Sequence, residues 1–225
     1  MSPESRSDPA VPPASQILDR IGAVQGHLDA RSGGRTRLLP VTKAFPVEVV
    51  SSVLAAGFRD VGENYAQELL EKNRQLSPEQ IGWHMIGGLQ RNKVRHLAGI
   101  VKLWQTVDRA SLLDEIARRD PGARVLVQVD PLDGVGKAGC APSEVEALVV
   151  RGVELGLDVA GLMTVGAAGD PGATRRAFSV LAGLADSLDL AERSMGMTDD
   201  MDLAVDMGST LVRVGRAIFG ERQPR

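Results

Sequence analysis

Apolar residues along this chain follow two rhythms in turn. Short blocks of nearly continuous Val, Leu and Ile alternate with longer runs in which apolar residues recur three and four apart. The first pattern predicts buried parallel strands and the second amphipathic helices. Predicted strands cover Arg37–Lys43, Phe58–Gly62, Trp83–Ile86, Leu103–Val107, Arg124–Val129, Val159–Val165, Arg193–Met195 and Thr210–Val214. Predicted helices cover Ser15–Ala30, Val47–Ala56, Tyr65–Leu76, Gln90–Leu97, Ala110–Arg119, Ser143–Leu155, Asp170–Leu188 and Asp199–Met207. Punctuation agrees with this division. Ser15 is a candidate cap, Pro46 and Pro171 suit first helical turns, and Gly57 and Gly208 suit helix ends.

Strands alternating with helices imply a parallel sheet, and eight such units imply closure into a (β/α)8 barrel of the TIM type. A doubly wound open sheet is the alternative. No linker divides the chain, so residues 15–225 read as one barrel domain behind a disordered tail, residues 1–14, rich in Ser, Pro and charge. The 225 residues suffice for one such barrel, and the net charge of −3 offers no basic field for nucleic acid. Cys140 is the only cysteine, so no intramolecular disulfide forms, which suits a reducing cytoplasm. No apolar run reaches the roughly 18 residues of a membrane span, and no signal-peptide segment is visible.

In a barrel, chemistry collects where the strands end. Lys43 closes the first strand, placed to face a ligand. A lysine partly removed from water holds more of its neutral, nucleophilic amine, the form that attacks an aldehyde. Gly62-Glu63-Asn64-Tyr65 follows the second strand. The third carries His84 and runs into Gly87-Gly88-Leu89-Gln90-Arg91-Asn92-Lys93, and the sixth ends in Met163-Thr164. The segments Ser194–Thr198 and Gly215–Arg216, after adjacent strands, form two halves of an expected phosphate cradle. Arg213 lies two residues before Gly215 and shares its face. An arginine against a pyridine nitrogen can only donate, which leaves the ring a weak electron sink.

Other signals stay structural. His27, His84, His96 and Cys140 show no metal-ligand spacing, so no metal is expected. Gly134 and Gly136 mark a turn without a dinucleotide fingerprint, and Arg91, Lys93 and Arg95 form a solvated helix face without aromatic platforms. Tyr65, the only tyrosine, either packs or lines the site.

Taken together, Val41-Thr42-Lys43, Gly62-Glu63-Asn64-Tyr65-Ala66-Gln67-Glu68, Trp83 through Lys93, Gly161-Leu162-Met163, Ser194-Met195-Gly196-Met197-Thr198-Asp199-Asp200 and Gly208 through Gly220 resemble, in order, the pyridoxal-phosphate homeostasis proteins, also called the proline synthase co-transcribed family. The loop at Gly134–Gly139 matches that family's Lys-Ser-Gly pattern loosely, leaving Lys137 without a clear role, and Gly88 stands where many members have proline.

The resemblance implies a barrel like the amino-terminal domain of alanine racemase. It implies pyridoxal 5′-phosphate held as a reversible Schiff base on Lys43. Phosphate contacts would come from Ser194 and the backbone at Gly215 and Arg216, and a ring-nitrogen contact from Arg213. Asn64, His84, Met163 and Thr210 would lie near the cofactor. The family has no counterpart of alanine racemase's second domain, which supplies a catalytic tyrosine, so an open site and no catalytic residues are expected. The implied role is vitamin B6 homeostasis in the cytoplasm, with effects on amino-acid and keto-acid balance. The implied partners are the cofactor and apo-enzymes that use it; no nucleic acid or membrane is expected, and a monomer or weak homodimer is expected. Two alternatives remain: a cofactor-dependent racemase or lyase for a small amino acid, and a cofactor-free aldolase that uses Lys43 directly.

Overall fold

The apolar blocks do become strands, and all eight run parallel in one sheet. A computed structural model describes residues 12–77, 81–132 and 138–221. Residues 1–11 of the expected tail, and Gly134, Gly136 and Lys137 of the loop, lie outside the described residues. The strands are β1 (Arg37–Pro40), β2 (Asp60–Glu63), β3 (Gly82–Met85), β4 (Val101–Val107), β5 (Arg124–Gln128), β6 (Asp158–Met163), β7 (Glu192–Ser194) and β8 (Leu211–Val214). The helices are α1 (Ala14–Ser32), α2 (Val47–Ala55), α3 (Ala66–Gln75), α4 (Arg91–Leu97), α5 (Ala110–Arg119), α6 (Val145–Glu154), α7 (Pro171–Ser187), α8 (Met201–Asp206) and α9 (Arg216–Phe219).

Each strand pairs with its neighbour in sequence from β2 to β8, and β8 pairs back onto β1. The seam between β1 and β2 closes through a single parallel bridge, Val41 to Gly62, with Thr42 N–H donating to the Gly62 carbonyl at 3.0 Å. Gly62 permits this approach: a Cβ there would meet Ile86, Leu39 and Val41 side chains at 3.1–3.3 Å. The sheet is therefore a closed barrel, and the open-sheet alternative is excluded.

The main core lies between the sheet and its helices. On α1 the buried residues Ile17, Ile21, Val24 and Leu28 keep helical spacing. Trp83 and Trp104 point outward from β3 and β4 into this layer, their indole N–H groups bonded to Asn73 and Asp120. A second cluster, Leu103, Leu126, Ala160 and Met163, contains no helical residue and lies in the barrel interior. Where the strand ends differ from the sequence reading, they differ at turns. Val41 leaves the ladder before Lys43, and α1 begins at Ala14, with Pro13 rather than Ser15 in the cap position. Asp170 caps α7 as its place before Pro171 suggests, accepting from Ala173 N–H at 2.8 Å.

Among the described residues, no helix is long and apolar enough to cross a membrane, and no cluster of His, Cys, Asp and Glu could hold a metal. Burial, reinforced by the Glu144 carboxylate, pushes the Cys140 thiol up to about 12. At pH 8 that leaves about one thiolate in ten thousand molecules. Cys140 in the native protein should therefore resist a thiol-specific chromogenic disulfide reagent and react rapidly only after unfolding in guanidinium. Equal rates in the two states would contradict its placement.

Candidate functional site

Every parallel strand carries its carboxyl end to one pole of the barrel, so the residues just after the strands meet there. A cleft of about 420 Å³ opens at that pole. Its floor and walls come from Lys43, Asn64, Ile86, Met163, Val165, Thr198, Arg213, Gly215 and Arg216.

The turn that presents Lys43 is fixed from several sides. Ala44 adopts φ 62, the left-handed region, and its N–H donates to Glu68 Oε2 at 2.9 Å. Phe45 N–H closes the turn on the Thr42 carbonyl at 3.2 Å, and the Phe45 ring packs on Phe219 of α9 with centroids 5.4 Å apart. Beneath the turn lies a buried polar knot. Lys72 Nζ on α3 donates to Glu63 Oε1 at 2.6 Å and to the Thr42 carbonyl at 2.8 Å, while Thr42 Oγ1 donates to Glu63 Oε1 at 2.7 Å. The Lys72 and Glu63 side chains are 6% and 0% exposed. Lys43 itself is half-buried, with Nζ 3.4 Å from Asn64 Oδ1. Asn64 is held in turn by Gly87, whose absent side chain lets the Asn64 carbonyl approach; a Cβ at Gly87 would lie 2.0 Å from that oxygen.

Arg213 stands at the back of the cleft on β8, 4% exposed. Its guanidinium donates to Ser194 Oγ at 2.7 Å and to the Thr164 carbonyl at 2.8 Å. Burial lowers its pKa to about 10, against a countervailing pull from Asp200, so it stays charged at neutral pH. Burial likewise raises the Asp200 carboxyl, opposed by the Met197 N–H that donates to Asp200 Oδ1 at 2.5 Å. On the adjacent side, the loop after β7 brings Thr198 against the start of α9, where Ala217 N–H donates to Thr198 Oγ1 at 3.3 Å. Arg216 pairs with Asp199 across the cleft mouth. Val165 and Met197 line the cleft yet remain 42% and 39% exposed, so the site is open to solvent.

Six of the nine expected site residues, Lys43, Asn64, Met163, Arg213, Gly215 and Arg216, therefore line this cleft. Three do not. Thr210 precedes β8 and lies at the opposite pole, its hydroxyl donating to Glu192 Oε2 at 3.0 Å and accepting from Arg193 N–H. Ser194 is fully buried inside the barrel, and its hydroxyl is shared between Arg213 and Gln105. His84 lies deeper in the same interior, 2% exposed, with Nδ1 2.9 Å from Gln105 Nε2. In the loop after β7 it is Thr198, not Ser194, whose hydroxyl belongs to the cleft; strand alternation turns the last residue of β7 inward.

The arrangement offers a primary amine, apolar walls from Ile86, Met163 and Val165, a donor-only cation, and a hydroxyl beside the first turn of α9. That set can condense with an aldehyde, pack against a flat ring and donate to a lone pair or an anion.

Comparison with known proteins points the same way. Residues 17–223 match the family described as alanine racemase, N-terminal domain. The pyridoxal phosphate homeostasis protein of Pseudomonas aeruginosa is 35% identical over 222 residues, covering 92% of this chain and 96% of that one. The structure of PipY from Synechococcus elongatus PCC7942 with PLP bound superposes with a TM-score of 0.80 at 29% identity, over 91% of this chain and 100% of PipY. Lysine decarboxylase of Selenomonas ruminantium shares the fold alone, with a TM-score of 0.68 at 19% identity over 89% of this chain and 61% of that one.

Replacing Lys72 with methionine keeps the bulk of the side chain but leaves the Glu63 carboxylate buried without its cation. The expected cost is about 3–5 kcal/mol of unfolding free energy, read from urea denaturation. A variant as stable as the wild type would show that the knot beneath Lys43 carries no structural weight.

Proposed function

The chain belongs to the alanine racemase N-terminal domain family, among relatives named pyridoxal phosphate homeostasis protein, and from that premise we propose that it binds pyridoxal 5′-phosphate in the cleft and serves its intracellular homeostasis. The observation that carries this reading is the convergence of Lys43, Arg213 and Thr198 on one open cleft. The cofactor supplies an aldehyde that condenses reversibly with a primary amine, releasing water. Lys43 is the amine, held ready by Asn64 and by the braced turn beneath it. Ile86, Met163 and Val165 would flank the ring, Arg213 would donate to the ring nitrogen, and Thr198 with the backbone at Gly215–Arg216 would take the phosphate.

Two features favour custody of the cofactor over turnover. Arg213, charged at neutral pH, keeps its proton when it donates, so the ring nitrogen would stay unprotonated and the ring would withdraw electrons weakly. The cleft is also open, so water is not kept from a developing carbanion. The same openness lets an incoming amine displace Lys43, which is all that release to another protein requires. This reading takes apo-enzymes as the recipients and the cytoplasm as the compartment, where the single buried thiol stays reduced.

Borohydride treatment of the protein mixed with pyridoxal phosphate, followed by peptide mass mapping, should place one pyridoxyl group on Lys43. Lys43→Ala should lose both the label and the visible absorbance of the bound cofactor. Labelling at other lysines with Lys43 unmodified would overturn the reading, and Lys43-dependent interconversion of D- and L-amino acids would favour a racemase instead.

A further inference from the structure

A file of polar side chains crosses the barrel interior from the cleft toward the opposite pole. Arg213 Nη1 donates to Ser194 Oγ at 2.7 Å, and Ser194 Oγ–H donates to Gln105 Oε1 at 2.6 Å. Gln105 Nε2 lies 2.9 Å from His84 Nδ1. His84 Nε2 then faces Asp60 Oδ2 at 3.7 Å, too far for a direct hydrogen bond, and has no other partner among the described residues. Asp60 sits at the start of β2, in an ion pair with Lys102 at 2.7 Å.

The two ends fix the direction of every link. An arginine can only donate, so Ser194 Oγ must accept and can pass its own proton on to Gln105 Oε1. That leaves the Gln105 amide N–H₂ to donate to His84 Nδ1, which must be bare. The ring proton then sits on Nε2, aimed at Asp60. The lower end demands the same result independently, because a bare Nε2 would set a lone pair against a carboxylate. Burial lowers the His84 pKa, which favours the neutral ring, against the pull of Asp60; Lys102 and Arg37 are the cations that also act on it. Half-burial would raise the Asp60 carboxyl, but His84 and Lys102 outweigh it and hold it at about 2, so the file ends on a negative charge.

We propose that Gln105 is a positioning residue for the cofactor: it locks Ser194 and His84 into one hydrogen-bond direction and so holds the Arg213 guanidinium aimed at the ring. The inference rests on the reading that the ring nitrogen meets Arg213. Gln105 touches neither cleft nor cofactor. It acts by keeping one Arg213 N–H group engaged below, so that the fork cannot rotate away from the cleft. Without the Gln105 acceptor, the Ser194 hydroxyl is free to turn its proton toward Arg213, and the alignment is lost.

Two measurements test it. In the full-length protein without added ligand, nitrogen-15 NMR of the His84 ring at neutral pH should show the proton on Nε2; a proton on Nδ1 overturns the directed file. With pyridoxal phosphate added, Gln105→Leu should shift the visible absorption band and weaken retention about tenfold. Gln105→Glu keeps the acceptor for Ser194 and should restore the wild-type band, while its second oxygen forces a second proton onto His84, visible in the same NMR spectrum. If Gln105→Leu does not fold, Ser194→Ala breaks the neighbouring link and should shift the band likewise. A band unmoved in the folded variants overturns the proposal, since a purely structural glutamine would change only stability. Should the wild type itself develop no band, the cofactor reading fails, while the His84 tautomer still decides whether the directed file exists.

Discussion

The barrel closes on a thinly paired seam, and Lys43 sits beside it. Between β1 and β2 there is one backbone bridge, Val41 to Gly62. What the ladder lacks, the side chains supply: Lys72 ties Thr42 on one side of the seam to Glu63 on the other through a buried charge pair. Charges taken from water demand full pairing, because one left alone is costly. Both donors, Lys72 Nζ and Thr42 Oγ1, meet Glu63 Oε1, and the Lys72 bond to the Thr42 carbonyl fastens the residue just before Lys43. The left-handed Ala44 backbone and the Phe45–Phe219 packing shape the same turn.

The interior is divided to match. Leu103, Leu126, Ala160 and Met163 form an apolar wall, and the polar file from Arg213 to His84 occupies the rest. A wholly apolar interior would pack more simply. It would also leave the Arg213 charge without acceptors beneath it, and the guanidinium would turn outward to water. Polarity within the barrel is thus a consequence of placing a cation at the back of an open cleft.

Much of this was legible in the sequence. Nearly continuous apolar blocks marked the strands, and the carboxyl ends of the strands with the residues just after them marked the cleft, which Lys43, Asn64, Met163, Arg213, Gly215 and Arg216 line. Thr210 and Ser194 lie outside the cleft for different reasons. Thr210 comes before its strand, and in a parallel barrel that puts it at the far pole. Ser194 ends its strand on an inward position, so its hydroxyl turns to Arg213 while Thr198, four residues on, reaches the cleft. Gln105 carried a signal that went unused: a polar residue two positions from Leu103 on the same inward face. Lys72 carried almost none, because a lysine on an amphipathic helix ordinarily points to water and only the tertiary fold brings Glu63 beneath it.

On the proposed reading, one pole of the barrel holds the cofactor by both ends, through the amine after β1 and the turns after β7 and β8. The most direct measurement is a crystal structure after soaking with pyridoxal phosphate. Electron density should run continuously from Lys43 Nζ into the ring, with Arg213 against the ring nitrogen and the phosphate between Thr198 and the first turn of α9. Density for the cofactor elsewhere on the barrel, with the Lys43 cleft empty, would contradict it.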